Sequence, residues 1–306
     1  MSAIRSEVSL AIRREDHVLP PGSPDWYKVI SASKVASIAG LSPWQSAYKL
    51  WHVMTGRLPA EEDNATLSQG RYLEPSILAW FQDQKPEHRL GPTGTWRHRQ
   101  ESTWIATPDA TWGGDLVEAK SSRTDDWGKP GTAEIPPGYL TQVGWQMMVT
   151  GAPRVWVPVL HYGTFKLYVV EWSDVAEDML DAVAPMVRWF QGLLASDTPP
   201  QLDGSDSTYK AVRELHPDLE DEDAVLTQEL AAEYALATIA EAQAAERATK
   251  ARARVIEAAG AARKIKAPDG KQIAYRSGPK GRTPSLTKTK GLMTLAQSLT
   301  ERTPEL

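Results

Sequence analysis

The stretch from Thr107 to Ser121, Thr-Pro-Asp-Ala-Thr-Trp-Gly-Gly-Asp-Leu-Val-Glu-Ala-Lys-Ser, decides how the rest of the chain is read. Paired glycines at 113 and 114 supply the positive φ of a tight turn, so two short strands are predicted on either side of them. Side chains alternate along the second strand. Glu118 and Lys120 then share one face with Leu116 behind them, while Val117 and Ala119 point the other way. Asp109, at the end of the first strand, comes alongside. Two carboxylates and an ammonium converge, which suits holding a divalent cation against a phosphate and activating a water.

Composition narrows the chemistry. A hydrophobic content of 41% with 24% charged residues fits a globular chain of 306 residues, and no apolar run approaches the roughly 20 residues of a membrane span. The N-terminal residues lack an apolar core of signal-peptide length, so a cytoplasmic protein with no membrane partner is expected. Cysteine is absent, which removes disulfides, thiol nucleophiles and iron–sulfur clusters. The six histidines show no ligand spacing, so a metal here would be hard and oxygen-bound, such as magnesium or manganese. No phosphate loop of the ATPase kind and no dinucleotide fingerprint occurs. The net charge of −5 describes the whole surface and leaves room for a local nucleic-acid path.

Outward from the hairpin, the elements read as one α/β domain. Ser31 or Ser33 caps a short helix stopped at Gly40, and that helix start, with Lys28 and Lys34 nearby, is a potential phosphate seat, although on this stretch alone ordinary capping is the simpler reading. Helices follow over 46–55 and, after the acidic loop 61–64, to about Gln84; in the second, Leu73, Ile77, Trp80 and Phe81 form a core stripe with Glu74 beside it. Strands are predicted within 89–107, then over 155–160 and 165–171. Between them lies a helix over 139–151 in which Gln142 and Gln146 share a face one turn apart. A helix over 174–194 closes the core.

The expected division is a core over 1–196, a linker over 197–208 and a C-terminal appendage over 209–306. The appendage comprises a long Ala/Glu/Arg-rich helix to Ala259, a hairpin around 268–270 and a basic tail. The helix is acidic early and basic late, which complements its dipole. Ten lysines and arginines from Arg263 onward face three acids, a local excess able to hold nucleic acid or simply to be solvated.

Pro108-Asp109, followed after eight residues by Glu118-Ala119-Lys120, matches the Pro-Asp…Glu-x-Lys pattern of metal-dependent nucleases. Alone it also fits a solvated strand or an ion pair. More of the chain joins it: Ser31-Ala-Ser33, Gly40-Leu-Ser-Pro-Trp44, Leu50-Trp51, Gly70-Arg-Tyr-Leu-Glu74-Pro75, Thr107-Pro-Asp109, Glu118-Ala-Lys120 and Tyr139-Leu-Thr-Gln142-Val. Over about 24–195 this order is similar to the YqaJ-like phage recombination exonucleases, relatives of lambda exonuclease. Residues 203–217 resemble the C-terminal extension of the actinobacteriophage branch.

The resemblance implies a restriction-endonuclease-like nuclease core, with a mixed central sheet flanked by helices, and a helical plus hairpin appendage. It implies Asp109, Glu118 and the Ala119 carbonyl as ligands of magnesium, replaceable by manganese and with two ions expected, and Lys120 as the catalytic lysine. Glu74 would position the water and Gln142 help hold it. Ser31, Ser33 and Thr107 would meet a terminal 5′-phosphate. Where the family has an arginine before Ser-Ala-Ser, this chain has Lys28, a point charge without the bidentate fork. The implied activity is 5′→3′ digestion of linear double-stranded DNA by a phage protein in the bacterial cytoplasm, leaving 3′ overhangs. The implied assembly is a homotrimeric ring, with a single-strand-annealing recombinase as partner. Rival readings are another nuclease of the superfamily and a non-catalytic DNA-binding scaffold; the absence of cysteine counts against a CRISPR-associated exonuclease.

Overall fold

The computed structural model describes residues 13–15, 18–20, 22–60, 64–279 and 281–289. The tail beyond residue 289, and with it the end of the expected basic segment, lies outside them. The chain divides into two units, 1–219 and 220–306.

In the first unit the glycine hairpin forms. Strands β6 (Ala110–Trp112) and β7 (Asp115–Val117) pair antiparallel around Gly113 and Gly114, whose φ values are 58° and 100°. Both turn residues thus occupy the region that favours glycine. β7 continues the sheet through parallel pairing with β9 (Arg154–His161), and β9 pairs antiparallel with β10 (Thr164–Glu171). β3 (Leu90–Gly91) closes the other edge on β6. A further strand, β8 (Lys120–Ser122), also lies parallel to β9. Val117 is opposite Trp156 and Lys120 opposite Val159, so β7 and β8 are in phase along one neighbour with only Glu118 and Ala119 between them. A second sheet has the order β1 (Arg13–Glu15), β4 (Thr95–Arg97), β5 (Trp104–Ala106), β2 (Ile30–Ser31).

Helices cover both faces of the larger sheet, the mixed α/β arrangement expected from the sequence. Beyond α1 (Ala32–Ile38) and α2 (Ala47–Met54), helix α3 (Ala65–Gln84) starts where the Asn64 side chain accepts from the amides of Thr66 and Leu67, both at 3.0 Å. Its Phe81 packs with Val117, Ala110 and Trp112. Helix α4 (Pro137–Thr150) lies on the opposite face, where Val143, Trp145 and Met147 join Leu116, Val155, Val157 and Val159. Proline at its first turn and Gly151 at φ 73° set its two ends. At about 1.5–3 kcal/mol for each fully buried large apolar side chain, this face is a main anchor of the domain. The helix expected over 174–194 ends in α5 (Ala184–Ala195), entered through a π-helical turn at Asp178–Val183.

Residues 206–215 differ from the expected linker and appendage. They form α6 (Asp206–Leu215), which packs on α2. The Ser46 amide donates to Ser207 Oγ at 3.0 Å, Thr208 Oγ1 donates to Ser46 Oγ at 2.8 Å, and Lys49 pairs with Glu214 at 3.1 Å. Ala211 and Leu215 complete a small core with Val53 and Leu58. The boundary falls at 219 because these contacts bury the helix's apolar side, which the Pro/Gly composition before it does not reveal.

The second unit holds α7 (Gln228–Ala259), capped by Thr227 and with no buried residue. A three-stranded antiparallel sheet follows, β11 (Lys264–Lys266), β12 (Gln272–Ser277) and β13 (Ser285–Lys288). The hairpin matches the sequence pattern; β13 lies where that pattern predicts a tail, because its short Ser-Leu-Thr-Lys run sits among Gly, Pro and Thr.

A Cβ at Gly113 would meet His88 Cδ2 at 2.4 Å. Gly113→Val should therefore lower unfolding stability by at least about 1–2 kcal/mol, the cost of the left-handed backbone alone. Gly70, inside α3 with nothing within 4 Å of an added Cβ, is the internal control: Gly70→Ala should stabilise by about 0.5–1 kcal/mol in the same urea titration.

Candidate active site

The polar groups of the site arrive from the hairpin, the short strand after it and two helices. In the hairpin Ala110 opposes Val117 and Trp112 opposes Asp115. Extended by one residue, that register sets Asp109 opposite Glu118. There the ladder is interrupted: the Ala119 amide donates to Asp109 Oδ2 at 2.7 Å. The Glu118 amide still reaches the Trp156 carbonyl at 2.9 Å, so the strand keeps its course.

The Glu118 side chain is buried, with 3% of its surface exposed. Its Oε1 accepts from Lys120 Nζ at 2.6 Å and from Gln142 Nε2 at 2.5 Å, and its Oε2 accepts from Gln146 Nε2 at 2.7 Å. A carboxylate has about four lone-pair directions, and three are used here. Lys120 Nζ also lies 5.1 Å from the centroid of the Tyr139 ring. Gln142 and Gln146 reach the same carboxylate because α4 presents residues four apart on one face. The spacing of Gln146 was legible in the sequence, but no chemistry attached to it there. It is fully buried, and its Oε1 has no protein partner.

Charge in the site is unbalanced. Burial, and then the charge of Glu118, hold the Asp109 carboxyl well above the usual carboxylate range; Lys120 and the Ala119 amide offset only part of this. Glu74, from α3, is raised by burial and by Glu118, with Lys120 opposing. Burial acts to lower the Lys120 value, but Glu118 and Asp109 outweigh it, so the net shift is upward and the ammonium persists at neutral pH. Three carboxyl groups thus share one cation.

The residues expected to meet a 5′-phosphate form a separate cluster. Ser31 Oγ and Ser33 Oγ lie 3.0 Å apart at the start of α1, and Ser31 makes no capping hydrogen bond. β2 runs parallel to β5 with Ser31 opposite Ile105, two residues before Thr107, whose hydroxyl lies 3.3 Å from that of Thr95. Lys28 is exposed and paired with Asp25 at 3.0 Å. Lys34 is not a surface cation. It is buried, donates to the carbonyls of Trp26 and Val29 at 2.5 and 2.7 Å, lies 3.6 Å from the Trp26 ring centroid, and is pushed down to about 7 by burial.

The donor set fits a hard divalent cation. Among the described residues no group of three His, Asp or Glu side chains is arranged to hold a metal by itself. Asp109, Glu118 and a backbone carbonyl provide oxygen donors, Glu118 has a lone-pair direction to spare, and the surplus negative charge is what a divalent ion would neutralise.

Fold and site together define an α/β domain with an acidic–lysine centre at an interrupted strand. Residues 14–153 match the YqaJ-like viral recombinase domain. No curated protein sequence matches significantly. Among solved structures, the chain is similar to an alkaline exonuclease (LHK-Exo) from Laribacter hongkongensis. Identity is 21% and the TM-score 0.43, covering 56% of this chain and 90% of that one. The same enzyme in complex with dAMP gives 21% and 0.45 at the same coverage. No helix among the described residues is long and apolar enough to cross a membrane.

Because ionised Asp109 is disfavoured in the folded state, stability without metal should fall as pH rises from the ordinary value of 3.8 through the raised folded one. Asp109→Asn should flatten that slope and raise the melting temperature at neutral pH, by about 2–4 °C per kcal/mol of repulsion relieved. Gln146→Leu should act oppositely, costing about 1–3 kcal/mol by leaving a buried carboxylate oxygen without its donor. Thermal melts in EDTA across pH check both.

Proposed function

We propose that the chain is a magnesium-dependent 5′→3′ exonuclease. It digests linear double-stranded DNA and leaves 3′ single-stranded overhangs for recombination by strand annealing. Two ions serve the centre, and manganese substitutes for magnesium. The observation that supports this reading most is the Glu118 carboxylate gripped by Lys120, Gln142 and Gln146, with Asp109 bonded to the next amide.

In this reading Asp109, Glu118 and the Ala119 carbonyl hold the cation. When bound, the ion supplies Lewis-acid polarisation of the scissile phosphate and acidifies water. The chain's own groups do the rest. Glu74, raised by burial and by Glu118, is a competent base. It takes a proton from the attacking water as the water oxygen bonds to phosphorus; the bond from phosphorus to the 3′ oxygen of the terminal nucleotide breaks, and that oxygen leaves as a hydroxyl after taking a proton from solvent. The Lys120 ammonium offsets the negative charge that develops on the phosphate. Gln142 and Gln146 keep Glu118 from swinging.

End selection is assigned to Ser31, Ser33, Thr107 and Lys28, which receive the terminal 5′-phosphate; Lys28 exchanges Asp25 for it. A homotrimeric ring around the duplex is part of the reading. Leu180, Met186 and Trp189 expose apolar surface, 43–50% of each residue, that a neighbouring copy would cover. A single-strand-annealing recombinase consumes the overhang.

The test uses linear duplex with 5′-phosphate or 5′-hydroxyl ends beside covalently closed circles. Mononucleotides should be released from linear DNA only, faster from 5′-phosphate ends, and with activity lost in EDTA and restored by magnesium or manganese. Glu118→Ala and Lys120→Ala should each lose about 10²–10³-fold or more in kcat. Equal cutting of closed circles, or an active Lys120→Ala, would overturn the assignment. DNA binding with no cleavage under any divalent ion would instead make the chain a scaffold.

A further inference from the structure

Residues 263–289 contain eight lysines and arginines and one acid, Asp269, in a chain of net charge −5. Lys271 pairs with that acid at 3.4 Å, so most of the positive charge has no counterpart within the segment. The β11–β13 sheet orders this charge. Lys264, Tyr275 and Thr287 occupy one register position across the three strands, so their side chains leave the sheet on one face. Lys266 follows two residues along β11, on the same side of that strand and roughly 7 Å from Lys264, past a register shift that sets it opposite Gln272.

The opposite face is the inner one. It carries Ile265, Ala274 and Leu286, all buried or half-buried, Arg276, whose guanidinium donates to the Gly260 carbonyl at the end of α7, and at its edge the exposed Lys288 opposite Ala274. On the outer face Lys264 and Lys266 are exposed and Tyr275 keeps 37% of its surface. A phenol ring on an open sheet, flanked by Lys264 and Thr287, has no role in a core this small.

We propose that this outer face binds single-stranded DNA: backbone phosphates lie along Lys264 and Lys266, and an unpaired base stacks on Tyr275. Lysines spaced along a strand neutralise successive phosphates, and an aromatic ring accepts the π-face of any base without regard to sequence. A duplex keeps its bases stacked on one another and has no free face to offer, so the ring selects the single strand. The inference concerns binding alone and does not depend on the chemistry assigned to Asp109 and Glu118.

The experiment uses the full chain in EDTA and a fluorescein-labelled oligo(dT), with a duplex of equal length as comparison. Tyr275→Ala should weaken oligo(dT) binding roughly tenfold, leave the duplex unaffected, and be rescued by Tyr275→Phe. Lys264→Ala with Lys266→Ala should reduce the slope of log K against log salt by about 0.7 per lysine. Irradiation of a bromodeoxyuridine oligonucleotide with the unaltered protein should attach it at Tyr275. This arm holds even where a variant fails to fold. Crosslinks confined to residues 1–219, or equal losses for Tyr275→Ala on duplex and single strand, would overturn the proposal. So would a sheet that takes up no oligonucleotide but binds polyglutamate, which would make it a protein-docking face.

Discussion

Burying the Glu118 carboxylate is the demand around which the first unit is arranged. An ionised carboxylate withdrawn from water is costly unless its oxygens are met by donors. Three donors are supplied here, one from the start of β8 two residues on and two from successive turns of α4. That requirement fixes where α4 crosses the sheet, and the apolar side of α4 then builds the larger core with Leu116 and the β9 valines. Packing and polar satisfaction are therefore not separate achievements of this helix: the turn that places Trp145 and Met147 against the sheet also aims Gln142 and Gln146.

Lys120 has a double part in this economy of charge. In the free protein it partly neutralises a site with three carboxyl groups, yet Asp109 and Glu74 remain raised. The folded chain thus stores electrostatic repulsion that, in the proposed function, a divalent ion would relieve, which would link metal affinity and fold stability through the same residues. A site built only for stability would have replaced one of these acids with a neutral side chain.

Much of this was legible in the sequence, for specific physical reasons. The glycine pair dictated the turn and the turn dictated the register, so the approach of Asp109 to Glu118 followed from counting residues. The amphipathic helices were likewise visible in their spacing. Gln146 escaped because its value lies in the second oxygen of an acid 28 residues earlier, which no local pattern encodes. Lys34 misled because a lysine beside a helix start looks like a surface cation, whereas carbonyls and the Trp26 ring had drawn it inside. The fate of α6 and the third strand of the basic sheet depended on tertiary contacts, and their composition resembled linker and tail.

The in-phase continuation of β7 into β8 along β9 has a consequence for how this site tolerates change in length. Side chains on a strand obey parity. Inserting or deleting one residue between Val117 and Lys120 would invert the lysine to the far face, and Ser121 and Ser122 after it would exchange faces too. Two residues would restore the orientation but move the ammonium one step along β9, beyond the carboxylate it now touches. The segment is therefore locked in length as well as in identity. Variation in length must come from elsewhere in the chain.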